Sequence, residues 1–484
     1  MKKIYSILFA LTVIISCSDA IDIEQPGILI SDNAIQSVSD YNLALLGIYN
    51  ILDNKNEIQF NAVFTDELSI GIENGGQNLS LYSLTLTPTT GISNNLWSRY
   101  YIAINLVNKL LEAGKKLIIS PDQQVDYNNI RGQFLAIRAY AHFQLQTYFS
   151  EDLTKDDATG VIILDFIPQS TRIDIPRKTN AEVFEFINQD LDEASKLITA
   201  QSNRIFISQD FITAFRARMA AYRNNYSLAN QLTTSLLSKY PIPSSKQFFD
   251  MFEDTDDTGI IFELERNFGD SYDSQSGRVG NLFAFQGSDI NGAPYMELSR
   301  SLYNIIDDED IRKSRLIHPT SKIDSLYSTN PNFKEDDILL IRKYPGHENQ
   351  PLMNDIKIFR ISEMLLLKAE AQIALGNLTS AAILLKQLQD NRYSSEQPLP
   401  IFTSENEAYQ ALLSERRKEL ALEGFRWVDL KRLGQKGGIS IDRDAVDCNQ
   451  FDACSLSNSD YRFTLPIPLR EFDFNSLLIQ NPGY

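Results

Sequence analysis

The chain has 484 residues, of which 43% are hydrophobic, and 63 acidic residues against 45 basic ones give it a formal net charge of −18. This length and hydrophobic content exclude a disordered chain and allow a large buried core, in one large domain or two closely packed ones. The acidic balance disfavours nucleic acid as a partner, because the phosphate backbone repels a surface of its own sign.

The first segment has the features of an export signal. Two lysines precede an almost wholly apolar run over residues 4–15, and the small Ser16 then stands before Cys17. The run is shorter than the roughly 20 residues that a membrane-spanning helix requires. We therefore predict a signal peptide over residues 1–16.

Residues 14–17, Ile-Ile-Ser-Cys, match a lipobox, in which the cysteine sulfur receives a diacylglycerol before cleavage. Acyl chains such as palmitate would anchor the protein firmly, because each buried methylene adds about 0.8 kcal/mol. The alternative is ordinary cleavage after Ala20, since Ser18 and Ala20 form a small-x-small site. We favour lipidation, because Cys17 stands directly at the end of the apolar run.

A polar tether over residues 17–38 separates the anchor from the folded part. Apolar residues then recur at helical spacing in three segments, and a start signal at Thr179 opens a fourth. The predicted helices are Tyr41–Leu52, Leu96–Ala113, Tyr127–Tyr148 and Asn180–Leu197. We interpret residues 39–484 as a single domain.

An internal repeat follows these helices. Four positions recur in two segments at the same mutual spacing, and a small residue occupies the first and last position of each copy. They are Ala217, Asn224, Tyr226 and Ala229 in one copy, and Ala369, Gly376, Leu378 and Ala381 in the other. In a tetratricopeptide hairpin, small residues let two antiparallel helices approach, and a left-handed residue ends the first helix. We therefore predict a helical-repeat scaffold that includes residues 205–240 and 358–432.

Beyond Cys17, the chain contains two cysteines, Cys448 and Cys454, which are close in sequence. In an oxidising compartment the default for such a pair is a local disulfide. A zinc or redox site is disfavoured, because no histidine lies near and the spacing matches neither motif.

The carboxylates Glu419 and Glu423 are the best enzymatic candidate, since the chain contains no G-x-S-x-G, Walker, dinucleotide or HExxH pattern. Four positions apart, they would share a helical face with Cβ atoms about 5–6 Å apart. Retaining glycosidases need carboxylates at about 5 Å. However, interleaved basic residues are typical of a structural ion-pair network. We favour that network and expect no catalysis.

Residues 254–265 fit the spacing of a twelve-residue calcium loop, with Gly259 at the sixth position. The ligands would be Asp254, Asp256, Thr258 and Glu265. The five residues that follow Gly259 are apolar apart from one glutamate and predict a strand rather than a helix. We favour a solvated acidic turn and expect no resident cofactor.

Two segments without helical period, residues 64–95 and 267–300, combine aromatic residues with amides and glycines. Long irregular segments of a compact protein are usually functional or disordered, and the aromatic content argues against disorder. Flat rings stack on sugar faces, and amides hydrogen-bond sugar hydroxyls. The candidate ligand contacts are Asn74, Gln77, Tyr82, Phe268, Tyr272, Phe283, Phe285 and Tyr295.

The C-terminal half carries a series of motifs in a fixed order. They are Phe-Arg-Ile-Ser-Glu at 359–363, Glu-Arg-Arg-Lys-Glu-Leu at 415–420, Glu-Gly-Phe-Arg-Trp at 423–427, Pro-Ile-Pro at 466–468 and Gln-Asn-Pro-Gly-Tyr at 480–484. Together, these motifs resemble the SusD/RagB family of outer-membrane nutrient-binding lipoproteins. The positions of the lipobox and of Pro-Arg at 176–177 agree with the same family.

This resemblance implies a mainly α, SusD-like fold of tetratricopeptide-like helix pairs with a loop-rich ligand-binding part. It implies capture of an oligosaccharide and its delivery, without catalysis, to a SusC-like TonB-dependent transporter. A peptide-binding importer subunit and a surface glycosidase are the alternatives. The anchor would lie in the outer membrane and face the cell surface. The acidic cluster after Cys17 is thin, however, so a periplasm-facing anchor stays open.

Overall fold

The computed structural model describes residues 34–199, 203–267, 269, 277–283, 294–347 and 350–484. The predicted signal peptide, Cys17 and most of the tether lie outside these residues. Among the described residues, no helix combines the length and the apolar character that a membrane span needs.

Helices dominate the first half of the chain. They are α1 (Val38–Ile51), α2 (Lys55–Phe64), α3 (Leu79–Tyr82), α4 (Gly91–Gly114), α5 (Gln124–Phe149) and α6 (Asn180–Leu197). All four helices predicted for this part are present. Capping boxes fix the start of two of them: Ser37 with Asp40 at α1, and Thr179 with Glu182 at α6.

The second half is also mainly helical, which confirms the predicted fold class. Its helices are α7 (Gln209–Tyr222), α8 (Tyr226–Leu237), α9 (Ser245–Met251), α10 (Arg300–Tyr303), α11 (Ile311–Leu316), α12 (Phe333–Asp336), α13 (Ile361–Ala374), α14 (Leu378–Asp390), α15 (Glu405–Glu419), α16 (Arg426–Gly437), α17 (Ala445–Cys448) and α18 (Glu471–Phe474).

The internal repeat forms two helical hairpins, α7–α8 and α13–α14, as predicted. The four repeat alanines are fully buried, which allows the paired helices to approach closely. Asn224 (φ 58°) and Gly376 (φ 78°) take the left-handed conformation after the first helix of each hairpin. The two hairpins also pack on each other, because α13 contacts α8.

Short antiparallel strand pairs join distant parts of the chain. The pairs are β1 (Leu68–Ile70) with β3 (Met296–Leu298), β2 (Ile260–Leu264) with β6 (Ile356–Arg360), β4 (Gly346–His347) with β5 (Gln350–Pro351), and β7 (Ile441–Asp442) with β8 (Ser455–Leu456). The β1–β3 pair is the one that positions the candidate binding site.

The C-terminal motifs lie in the buried scaffold. The Trp427 ring stacks on Tyr148 at 5.5 Å. Arg177 donates to Asn481 Oδ1 at 2.8 Å, which ties the terminal segment to the region before α6. Cys448 and Cys454 form the predicted disulfide. The C-terminal motifs therefore contribute to the buried scaffold.

Candidate ligand-binding site

The β1–β3 pair brings the two predicted binding segments together. Leu68 pairs with Leu298 and Ile70 with Met296, so the loops that leave the two strands lie side by side. Main-chain bonds extend the contact: Gly71 N donates to Tyr295 O at 3.1 Å, although 224 residues separate the two positions. We call residues 71–78, 277–283 and 294–295, which surround this junction, the loop site.

Gly71 is required at the junction. A Cβ atom at this position would lie 2.1 Å from the carbonyl oxygen of Pro294, far inside van der Waals contact. Any larger residue would push the two loops apart. Glycine therefore sets the close approach of the backbones, independently of its freedom in φ.

Asn74 organises the first loop. Its side chain is 4% exposed, and its amide donates to the carbonyl oxygens of Tyr295 at 2.9 Å and Gln77 at 3.1 Å. Its own oxygen accepts from Gly76 N at 3.1 Å, so the predicted ligand contact is instead a structural residue. Gln77 is exposed beside it.

Tyr295 holds the other two parts of the loop site together. Its half-buried hydroxyl donates to the carbonyl oxygen of Asn281, which fixes the 277–283 segment against residues 294–295. Burial raises the pKa of Tyr295, so the phenol stays neutral and keeps its proton for this bond.

Two of the predicted ligand contacts are wrong, because their rings lie in the core. Tyr82 is 0% exposed, and its hydroxyl donates to Asp447 O at 3.0 Å. Phe283 is 3% exposed and stacks on Tyr344, with ring centroids 6.3 Å apart. Aromatic content indicated both residues, but composition does not show which way a ring points. Phe268, Tyr272 and Phe285 lie outside the described residues and stay predictions.

Sequence reasoning missed Gln59, which lies on α2 next to the loop site. Its side-chain amide donates to Asn78 Oδ1 at 3.1 Å, and both side chains are half-buried. The two amides therefore stand side by side, and their remaining donors and acceptor lone pairs suit a hydroxylated ligand. Asn78 takes the left-handed conformation (φ 59°), and no local pattern predicts its contact with Gln59.

The four residues of the calcium-loop interpretation do not converge. The described residues contain no group of three or more His, Cys, Asp or Glu side chains placed to hold a metal ion. Asp254 contacts the ammonium of Lys357 and accepts from Asn354 Nδ2 at 2.7 Å. Asp256 accepts from the Thr258 amide at 2.8 Å. Because strand β2 follows Gly259 directly, Glu265 lies at the far end of the strand, away from the other three residues.

Glu419 and Glu423 are locked in a buried ion-pair network, as the sequence favoured. Arg392 donates to both oxygens of Glu419, at 2.9 and 3.0 Å. Arg360 donates to Glu419 at 3.1 Å and to Glu423 at 2.8 Å, and Lys343 bonds Glu423 at 2.8 Å. Burial favours the neutral acid, but the arginines outweigh burial and hold the pKa of Glu419 well below its ordinary value.

The two carboxylates do not share a helical face, which corrects the sequence interpretation. Helix α15 ends at Glu419, and Leu422 (φ 61°) and Gly424 (φ 88°) then turn the chain with left-handed conformations. Arg360 bridges the two carboxylates across this turn. A carboxylate that is buried and bonded in this way has no open face for a substrate.

Two family models match the chain. One, described as the SusD family, matches residues 314–484, and the other, described as starch-binding associating with outer membrane, matches residues 30–222. SusD-like protein P38 of Formosa agariphila is 25% identical, over 91% of this chain and 94% of its own length. The chain belongs to the SusD family. SusD-like protein P2 of the same organism is 24% identical over the full length of both chains.

Solved structures of SusD relatives share the fold. A SusD superfamily protein of Bacteroides thetaiotaomicron is 21% identical and superposes with a TM-score of 0.75, over 92% of this chain and all of that one. A Bacteroides vulgatus protein described as a putative sugar binding protein is 23% identical, with a TM-score of 0.73, over 93% of this chain and 99% of its own. The SusD assignment thus extends to the three-dimensional architecture.

Proposed function

We propose that this SusD-family protein captures an oligosaccharide at the loop site and delivers it, without catalysis, to a SusC-like TonB-dependent transporter. The observation that carries the proposal is the β1–β3 junction. It holds two irregular segments from distant parts of the chain in one place and sets the exposed Gln77 near the half-buried pair Gln59 and Asn78. Amides on a rigid scaffold suit recognition of sugar hydroxyls.

The names of the relatives support a carbohydrate as the ligand. The model that matches residues 30–222 is described as starch-binding associating with outer membrane, and a structural neighbour is described as a putative sugar binding protein. The alternative, a peptide-binding importer subunit, has the same architecture. A glycan array and a peptide library, each probed with the full chain, discriminate the two.

The locked state of Glu419 and Glu423 supports a role without catalysis. Incubation of the full chain with any glycan that it binds should release no product, which chromatography of the mixture would show. Steady product formation would restore the glycosidase alternative and contradict the proposal.

Membrane attachment and partner belong to the same proposal. Lipid on Cys17 would hold the protein at the outer membrane, and Cys17→Ala should release it or leave it uncleaved, with binding in solution intact. Surface exposure is checked by labelling whole cells with a membrane-impermeant reagent. Copurification of a large β-barrel with the native protein, but not with the Cys17→Ala variant in detergent-free extract, would support the partner.

The site itself is tested by removing single amides. Gln77→Ala and Gln59→Ala should each weaken glycan binding roughly three- to tenfold, the value of one hydrogen bond. Gln410→Ala provides the matched control, because that exposed glutamine lies on α15, away from the loop site. Unchanged affinity in both loop-site variants would discard this placement of the ligand.

A further inference from the structure

A cavity lies beside the turn of the first repeat hairpin and shares no lining residue with the loop site. It encloses about 420 Å³ between α16, the turn at 151–154, the α7–α8 turn and residues 458–464. Cavities of this size hold small molecules rather than protein segments. Because it depends on none of the loop-site residues, what it binds is independent of the function proposed above.

Lys431 places a half-buried amino group in the cavity. Its ammonium donates to the carbonyl oxygens of Ser150 at 2.5 Å and Thr147 at 3.1 Å, and it lies 5.1 Å from the centre of the Trp427 ring. Among the described residues, no carboxylate lies within ion-pair distance of it. Two carbonyls occupy two of the three N–H donors of an ammonium, so one donor remains for a ligand.

Lys436 adds a second positive charge one turn farther along α16. Its ammonium bonds the hydroxyl of Tyr226 at 2.8 Å and lies 3.5 Å from Asn224 Oδ1, and both of these acceptors are neutral. Arg432, between the two lysines, is neutralised by Glu370 at 2.9 Å. The cavity therefore has two cations that lack a carboxylate partner within the described part of the chain.

Two of the three acidic residues that line the cavity already have partners. Asp460 pairs with Arg462 at 2.8 Å, and Asp152 pairs with Lys155 at 3.3 Å. The third, Glu151, is exposed at the rim, where water screens its charge. When they are protonated, the two unpaired lysines thus leave an excess of positive charge in a protein of net charge −18.

Neutral groups complete the lining. Tyr461, which is 45% exposed, offers a ring face at the mouth. Further hydrogen-bonding groups come from Thr154, Asn224, Gln435 and Ser459.

We propose that this cavity is a second ligand site, which binds a sugar unit that carries a carboxylate. The carboxylate meets the ammonium group of Lys431, with Lys436 as the second cation of the same cavity; the hydroxyls meet the amides of Asn458 and Gln435, and the ring lies against Tyr461. A neutral sugar would leave both cations without an anion, so the site discriminates by charge.

Proton uptake on binding accompanies this arrangement. Burial lowers the pKa of Lys431 to about 7, so at pH 8 most molecules hold the neutral amine. A bound carboxylate raises that pKa again, and a proton enters with the ligand. The charged groups that face Lys431 across the cavity or along its helix are Glu151, Asp152, Asp460, Arg432 and Lys436.

Calorimetry of the purified full chain with D-glucuronate and with D-glucose tests the proposal. Glucuronate should bind about tenfold or more tightly than glucose, and more weakly at pH 8.5 than at pH 6.5. Titration at pH 8 in two buffers of different ionisation enthalpy should show proton uptake. Lys431→Met should abolish the uptake and weaken binding about tenfold. Lys116→Met, at an exposed lysine near the end of α4, should change neither.

Lys436 lies nearer the exposed rim, so Lys436→Met provides a second test if Lys431→Met does not fold. This variant should also weaken the binding of glucuronate about tenfold. Equal affinity for glucuronate and glucose, the absence of binding heat for glucuronate at millimolar concentration, or unchanged affinity in Lys436→Met would each overturn the proposal. Loss of binding in Gln77→Ala would overturn it as well, because the ligand would then occupy the loop site.

Discussion

Replacing the buried Glu67 by glutamine should make the protein more stable at neutral and basic pH. Glu67 is 1% exposed and follows α2 directly before β1. Its Oε1 accepts from Leu422 N at 3.2 Å, and its Oε2 has no partner within the described residues. Burial, with a smaller contribution from the neighbouring Asp66 carboxylate, raises the pKa of Glu67 from 4.5 to about 7.

Asp66, the adjacent residue, behaves in the opposite way. Arg426 donates to both of its oxygens at 2.8 Å, and Arg417 lies 3.3 Å away. Burial favours the neutral acid here too, but the two arginines outweigh burial and lower the pKa of Asp66 to about 2. The two arginines thus neutralise one carboxylate of the pair, and the other stays protonated in the folded protein below about pH 7.

The magnitude follows from linkage. A folded pKa of about 7 against 4.5 in the unfolded chain corresponds to about 3 kcal/mol, since one unit is worth about 1.4 kcal/mol. Because the folded pKa is raised, the stabilisation is fully present below pH 4.5 and is lost as the pH rises through about 7. Glutamine keeps the shape and does not ionise. The Glu67→Gln variant should match the wild type at pH 4.5 and exceed it by about 3 kcal/mol at pH 8.

Urea unfolding of the full chain at pH 4.5 and pH 8 measures the effect. Glu57, Glu297 and Asp355 also have pKa values that burial raises to about 7, so the wild-type curve contains several contributions, and only the difference between variants isolates Glu67. Glu73→Gln, at an exposed position, should change stability by less than about 0.5 kcal/mol at either pH. A difference in unfolding free energy between Glu67→Gln and the wild type that does not depend on pH would refute the reasoning.

Three further changes probe the scaffold. Gly71→Ala should separate β1 from β3, because its Cβ would meet the carbonyl oxygen of Pro294, and should lower both the thermal midpoint and glycan affinity. Glu419→Gln should cost about 3–5 kcal/mol in urea unfolding, because it leaves buried arginines without their anion. Replacing Cys448 and Cys454 by serine removes the disulfide of a short loop and should cost about 2 kcal/mol by the same measurement.

Each change has its own control. Gly47→Ala, where a new Cβ meets nothing within 4 Å, should not lower stability. Glu407→Gln, an exposed change on α15, is the control for Glu419→Gln. Equal stability losses in the two variants would contradict a stabilising role of the buried ion-pair network at Glu419. For the disulfide, the two serines should make no difference under reducing conditions. A loss that persists there would come from packing instead.

Local patterns determined much of the scaffold. The helices were predictable because the periodicity of apolar residues and the capping boxes at Ser37 and Thr179 act within a few turns. The repeat hairpins were predictable for the same reason: small residues and the left-handed turns at Asn224 and Gly376 are local requirements. The family resemblance rests on motifs that lie in this scaffold, so it predicted the fold better than the ligand site.

Only the tertiary structure decided which groups face a ligand. The sequence contains no sign that Tyr82 and Phe283 point into the core, or that Arg312, 107 residues away, also lies 3.5 Å from Glu419. Periodicity reports which side of one element is apolar, but burial and charge neutralisation depend on residues that folding brings together from remote positions. The loop site and the cavity at Lys431 are therefore products of the fold, whereas the helices that build them were already readable in the chain.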